Sequence, residues 1–135
     1  MSRLKLSQES IDALVFVESV NVPPTVYGLG FNDVQFQIRV DGKEIWQSGL
    51  WRSMLQRCFD RKLKAKYPTY QNVTCCDEWL RFSSFLMWCN KEVAYKGKPK
   101  EMDLDKDLLF RGNKVYSPET CAFVPKEVNT LFGGK

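Results

Sequence analysis

Histidine is absent from the 135 residues. That removes the side chain that most often acts as a general base near neutral pH and most often binds metal, so catalysis would have to rest on Asp, Glu, Lys, Tyr or Cys. Cysteine occurs five times, at Cys58, Cys75, Cys76, Cys89 and Cys121, yet no C-x-x-C knuckle accompanies it. Structural zinc wants such pairs or histidine partners, and neither metal nor any other cofactor is expected. The odd count and the apolar or aromatic neighbours fit buried, reduced thiols, and no signal-peptide or transmembrane run stands in the sequence. A cytoplasmic protein with no membrane partner is expected. Charge of one sign does not dominate either, since 20 Lys and Arg against 16 Asp and Glu leave +4. Such a balance favours anionic partners but falls short of a dedicated polybasic DNA binder.

What is present is apolar and aromatic. A 44% apolar, 13% aromatic chain of this length can bury one modest core, so one domain is expected over residues 1–135, β-rich over 1–48 and helical over 49–135. The fold class is α+β, with an N-terminal antiparallel β-sheet packed with two main helices and a short C-terminal turn, strand and helix segment. Residues 13–20, A-L-V-F-V-E-S-V, read as a strand ended by Pro23 and Pro24. Residues 34–40 alternate, with Val34, Phe36, Ile38 and Val40 on one face and Gln35, Gln37 and Arg39 on the other, the mark of a half-buried strand. Asp41 and Gly42 suit a tight hairpin turn, and 43–47 reads as the returning strand. Residues 27–31, Y-G-L-G-F, read as an irregular strand or loop whose glycines suit either close approach or a plain turn.

After Ser48, a plausible N-cap, the period changes: Leu50, Trp51, Met54, Leu55, Cys58 and Phe59 recur at helical spacing. The basic residues Arg52, Arg57, Arg61, Lys62, Lys64 and Lys66, against Asp60 alone, form either a solvated face or a phosphate-facing stripe. A loop with Pro68 and Tyr70 follows. Thr74 with Asp77 resembles a capping box for a second helix carrying Trp79, Leu80, Phe82, Phe85, Leu86, Trp88 and Cys89, aromatic enough to be buried on more than one side. A polar break at 96–100, a turn at Gly112 and Asn113, a strand at 114–116, a one-turn helix start at 117–119 and a short helix over 124–132 complete the reading.

Trp51, Arg52, Met54, Leu55, Arg57, Cys58 and Phe59, then Tyr67, Pro68 and Tyr70, Cys76 to Leu80, Leu104 to Asp107, Gly112 and Asn113, Tyr116 to Cys121, and Phe123 to Pro125 with Val128 and Asn129 together resemble the phage HNH homing-endonuclease-like proteins over roughly residues 50–132. The resemblance implies ancestry in a nuclease that activates water with histidine and holds a divalent metal. With no histidine, only Asp105, Asp107 and Asn113 remain as weak magnesium ligands with no evident base beside them, so the expected protein is not an enzyme. The glycine- and arginine-rich turn that such proteins carry before the Cys-Glu-Trp element is replaced by Tyr70, Gln71, Asn72 and Val73. In size, layout and chemistry the chain also resembles the oligomeric sponge proteins with which phages counter Thoeris immunity, which sequester glyco-cyclic ADP-ribose and, in some members, cyclic oligonucleotides of the CBASS system. That likeness implies a homo-oligomer in the cytoplasm of an infected bacterial host, holding a small signalling nucleotide without cleaving it. The alternative is a catalytically dead HNH-like nucleic-acid-binding protein.

A cyclic nucleotide asks for Arg or Lys at its phosphates, an aromatic at its base and an amide at the base edge. Arg111 and Lys114, flanking Gly112 and Asn113, make either a phosphate grip joined by backbone donors or a solvated turn. On the first reading Arg111→Ala abolishes capture. Phe82 and Phe123 are base platforms or core, Asn90 a base-edge reader or a helix cap, and Arg57 with Arg52 a second, more central anionic site where subunits meet along the basic helix.

Overall fold

The computed structural model describes residues 2–96, 102–106 and 109–125. In chain order its elements are α1 (Gln8–Asp12), β1 (Arg39–Val40), β2 (Lys43–Glu44), α2 (Trp46–Phe59), α3 (Arg61–Lys66), β3 (Thr74–Cys75), α4 (Phe82–Lys96), β4 (Met102–Asp105), β5 (Val115–Tyr116) and β6 (Ala122–Pro125), with single 3₁₀ turns at Pro68–Tyr70 and Asp77–Leu80. The architecture is α+β.

One spacing builds both main helices. Trp51, Met54, Leu55 and Cys58 of α2 and Phe82, Phe85, Leu86 and Cys89 of α4 are all buried, each set falling at i, i+3, i+4 and i+7 along one helical face. These faces meet, with the Trp51 and Phe82 rings 5.1 Å apart. The Trp51 indole N–H donates to the carbonyl of Trp79 at 2.7 Å, which satisfies a polar group that burial would otherwise leave stranded. From Phe82 to Asn90 no residue of α4 is exposed, as its aromatic content requires. The loop before it lies directly on α2: a Cβ at Gly30 would stand 2.6 Å from Leu55 Cδ1 and 3.2 Å from Trp51 Cζ2. Close approach, rather than turn formation, is what that glycine provides.

The hairpin forms as its sequence dictates. Asp41 (φ 50°) and Gly42 (φ 79°) occupy the two left-handed positions of the turn, and Arg39 pairs with Glu44 and Val40 with Lys43. Along residues 34–36 the alternation holds, Val34 and Phe36 being buried and Gln35 exposed, but of the strand expected over 34–40 only Arg39–Val40 forms, with Phe36 making a single parallel bridge to Leu4. The ladder itself is short, however, because Trp46 already begins α2; the return strand is Lys43–Glu44 and not 43–47. Ser48 accordingly sits inside the first turn of α2 and donates to Glu44 Oε2, while Ile45 holds the cap position without a side-chain bond.

Residues 13–20 are the larger departure. After a turn at Ala13 they bend at Val15 and pair with no strand among the described residues, so β-propensity there meets no ladder. Thr74 and Cys75 form β3, not a cap, and α4 starts only at Phe82. Its amide donors are met from the other end of the sequence. Asp33, fully buried, accepts from the Ser83 amide and the Ser83 hydroxyl, each at 2.8 Å.

At the other edge, β4 and β6 pair antiparallel from Met102 with Pro125 to Asp105 with Ala122, and β3 pairs parallel with β5. Ser117 starts a single closed turn, its carbonyl accepting from the Cys121 amide at 2.9 Å. Val124 and Pro125 belong to β6 rather than to the helix expected over 124–132; the rest of that helix, the break at 97–100, and Asp107, Val128 and Asn129 lie outside the described residues. Among the described residues no helix is long and apolar enough to cross a membrane.

Candidate functional site

Asp60 divides the basic segment in two. Its carboxylate accepts from the amides of Lys62 at 2.9 Å and Leu63 at 3.2 Å, so α2 ends and α3 begins there, turning the chain away from α2. The Pro68–Tyr70 turn then folds back, and a cleft of about 560 Å³ opens between the three, lined by Ser53, Gln56 and Arg57 of α2, Leu63 of α3, and Tyr67, Pro68, Thr69 and Tyr70. Its size suits a small ligand.

Arg57 is the cation of this cleft. Half-buried, it donates from Nη1 to the Tyr116 hydroxyl at 3.2 Å, and a guanidinium has five N–H donors in a planar fork. Burial pushes the Tyr116 phenol above its ordinary pKa despite the opposing pull of Arg57. The hydroxyl is therefore neutral and adds no negative charge beside Arg57, whose opposing charge is the Asp103 carboxylate. Tyr67, 45% exposed, presents its ring to solvent with Tyr70 edge-on to it at 6.0 Å and 63°. Lys66 lies 5.5 Å from the Tyr67 centroid, within cation–π range. Across the rim, Lys114 Nζ reaches the Thr69 carbonyl at 3.5 Å. The parallel β3–β5 pairing is what brings it there, since Lys114 directly precedes β5 and its carbonyl accepts from the Thr74 amide at 2.9 Å.

Arg57 thus lines the cleft and Lys114 reaches its rim at Thr69, and the other sequence candidates do neither. Phe82 is fully buried against Trp51 and cannot receive a base. Phe123 is 2% exposed and stacks on Trp88, centroids 5.2 Å apart at 25°, so it too is core. Asn90, 6% exposed, donates to the carbonyls of Ile11 at 2.8 Å and Leu14 at 2.9 Å and accepts from Gln47. It neither reads a base nor caps its own helix but ties α4 to the C-terminal end of α1 and the residues just after it. Asn113 is likewise engaged, its amide donating to the carbonyls of Lys106 at 2.8 Å and Val115 at 2.7 Å, which fixes the turn and leaves Arg111 exposed at its tip. Arg52 is exposed and paired with Glu44 at 3.1 Å, an ion pair of the kind worth little in water.

Ser53, Gln56, Tyr67 and Tyr70 were not singled out as ligands in the sequence. The available signal was Tyr67-Pro68-Thr69-Tyr70 directly after a basic helix, an aromatic pair that a proline-led turn keeps at the surface.

The thiols are placed for packing. Cys58, Cys75, Cys89 and Cys121 are buried and Cys76 half-buried. Burial pushes Cys89 well above its ordinary pKa and Cys121 up to about 12, and hydrogen bonding with Cys58, then burial, raises Cys75. Burial also raises Cys76. Nucleophilic thiols need the opposite environment. In the folded protein, an aromatic disulfide reagent at about pH 8 is expected to label Cys76 alone, and slowly, with all five thiols of the chain reacting only in denaturant. Rapid labelling of a second thiol under native conditions would place a reactive cysteine where none is expected. No group of three or more Cys, Asp or Glu side chains among the described residues is arranged to hold a metal ion.

No protein-family model matches the chain, and no curated protein or solved structure shows significant similarity to it.

Proposed function

We propose that the protein binds and sequesters a cyclic signalling nucleotide without cleaving it, and that the ligand sits in the cleft between α2, α3 and the Pro68–Tyr70 turn. The observation that carries this reading is the convergence there of a half-buried guanidinium, Arg57, with an exposed aromatic face, Tyr67, an amide, Gln56, and a hydroxyl, Ser53. Those are the groups that a phosphate, a base face, a base edge and a sugar require. Stacking on an aromatic is worth about 1–3 kcal/mol and a charged hydrogen bond about 1.5–3 kcal/mol, so two or three such contacts support tight binding after ordering costs. Capture without turnover is the chemistry of an anti-defence protein of a phage, and no histidine is available to cleave what is held. We place the descent of residues 50–132 in HNH-like nucleases on the same footing.

A nucleic-acid role is favoured by a different observation, the exposure of Arg61, Lys62 and Lys66 on α3. One experiment separates the two. Purified protein is incubated with cyclic dinucleotides, cyclic trinucleotides and cyclic ADP-ribose derivatives; the supernatant is assayed, and the protein is then heated and the released material chromatographed. Depletion followed by release of intact ligand is the expected result. Release of a cleaved product would make the protein an enzyme, whereas no depletion together with a salt-sensitive shift of DNA or RNA would transfer the function to α3.

A further inference from the structure

Residues 61–76 and 109–118 contain no Asp or Glu, and between them they carry Arg61, Lys62, Lys64, Lys66, Arg111 and Lys114. The fold joins the two segments. Lys64 of α3 donates to the carbonyls of Gln71 at 3.2 Å and Val73 at 2.9 Å, Lys114 reaches the Thr69 carbonyl at 3.5 Å, and Thr74 pairs with Val115. None of the six cations has an ion-pair partner among the described residues. Directly before Arg111 stand Leu109, 59% exposed, and Phe110, 55% exposed, two adjacent large apolar side chains. The turn that presents them is closed. Across Arg111 and Gly112 the Asn113 backbone amide donates to the Phe110 carbonyl at 3.0 Å, with Gly112 at φ 80° as the third position of a type II turn requires. The Asn113 side chain then ties Lys106 to Val115 at its neck.

We propose that this face docks on an anionic lipid bilayer, with Leu109 and Phe110 entering the boundary between headgroups and acyl chains and the cations of the turn and of α3 lying over the lipid phosphates. The apolar pair favours a bilayer over a nucleic acid. An aliphatic leucine offers bases no ring to stack on, whereas both side chains gain from leaving water for lipid. Each basic residue adds attraction to an anionic surface, and the long Lys and Arg stems keep their charges at headgroup level while the apolar neighbours go deeper. Docking of this kind needs no spanning helix. It therefore departs from the expectation of no membrane partner, which rested on the lack of a transmembrane run. Leu109, Phe110 and Arg111 lie outside the lining of the nucleotide cleft, so their variants probe the surface without altering that cleft.

Co-sedimentation of the 135-residue chain with sucrose-loaded vesicles tests this directly. At about 0.1 M salt the chain is expected to pellet with phosphatidylcholine vesicles containing about one-third phosphatidylserine, and to stay in solution with phosphatidylcholine alone. Phe110→Ser and Leu109→Ser should each weaken partition about tenfold, and Arg111→Glu about tenfold. All three side chains are exposed, so the circular dichroism spectrum and melting temperature of the variants should match those of the wild type. Failure to pellet with either vesicle overturns the proposal, as does equal binding to both. Anionic binding that Phe110→Ser and Leu109→Ser both leave unchanged overturns it equally, because charge alone would then hold the protein. A salt-sensitive shift of single-stranded RNA or DNA at protein concentrations where no vesicle binds also overturns it and gives the face to nucleic acid.

Discussion

Arg57→Ala is expected to lower nucleotide affinity by about 100-fold or more while the protein stays folded. The substitution removes the one cation that combines partial burial with a place on the cleft wall. A charged hydrogen bond is worth about 1.5–3 kcal/mol, and a guanidinium makes two when it meets a phosphate side-on. The neighbour left behind, the Tyr116 hydroxyl, stays neutral because burial holds it above its ordinary pKa, but losing its donor also costs about 1–3 kcal/mol of stability. Arg57→Lys should recover only part of the loss, because an ammonium keeps the charge but not the fork. Tyr67→Ala should cost about tenfold and Tyr67→Phe almost nothing if the ring face is what the ligand uses. Arg111→Ala is the necessary contrast. Arg111 stands exposed at a turn tip outside the cleft lining, so its loss should change affinity less than about threefold, by long-range attraction alone. Calorimetric titration of the five variants with whichever nucleotide the capture assay identifies decides the matter. Abolition by Arg111→Ala with Arg57→Ala unaffected would move the ligand to the Gly112 turn.

That contrast follows the line between what periodicity shows and what contact shows. The two helical faces, Trp51 to Cys58 and Phe82 to Cys89, were legible because burial repeats with the helix, and the Asp41–Gly42 hairpin because positive φ selects its residues. Phe82 and Phe123 were misread for the complementary reason: an aromatic ring has the same chemistry in a core as on a platform, and only packing against Trp51 or Trp88 tells them apart. Asn90 could not be read at all from its neighbours, since the carbonyls it holds belong to Ile11 and Leu14. The cleft needed a parallel pairing between β3 and β5 to bring Lys114 to Thr69, and no local pattern announces a two-residue parallel ladder. Residues 13–20 failed differently. Their β-branched and aromatic composition favours a strand, but the chain bends at Val15 and pairs with no strand among the described residues.

Asp33→Ala is expected to cost about 3–4 kcal/mol of stability, and its cause is the distance over which α4 is capped. The carboxylate, fully buried, receives the Ser83 amide and hydroxyl at 2.8 Å each, with Arg81 Nη1 3.8 Å away. Removing an ordinary N-cap costs about 1 kcal/mol, up to about 2. Here the loss is larger, because a buried amide and a buried hydroxyl are both left without an acceptor at about 1–3 kcal/mol each. Water entering the vacated space recovers part of that, which is why the two costs are not simply additive. Asp33 also holds the segment that crosses α4's start, its carbonyl accepting from the Val20 amide at 2.8 Å while Phe31 bonds on both sides of Arg81 through Leu80 and Phe82. Loss of the carboxylate therefore loosens two layers at once. Asp33→Asn separates charge from geometry: an amide oxygen can still accept one of the two bonds, but its NH₂ then faces the second donor. We expect it to lose about half as much stability as Asp33→Ala. Ser83→Ala, which deletes only the hydroxyl bond, should cost about 1 kcal/mol. Urea denaturation followed by fluorescence reads all three, since Trp79 and Trp51 are buried beside this junction. Equal stability of Asp33→Ala and Ser83→Ala would mean that the carboxylate contributes no more than its contact with a single hydroxyl.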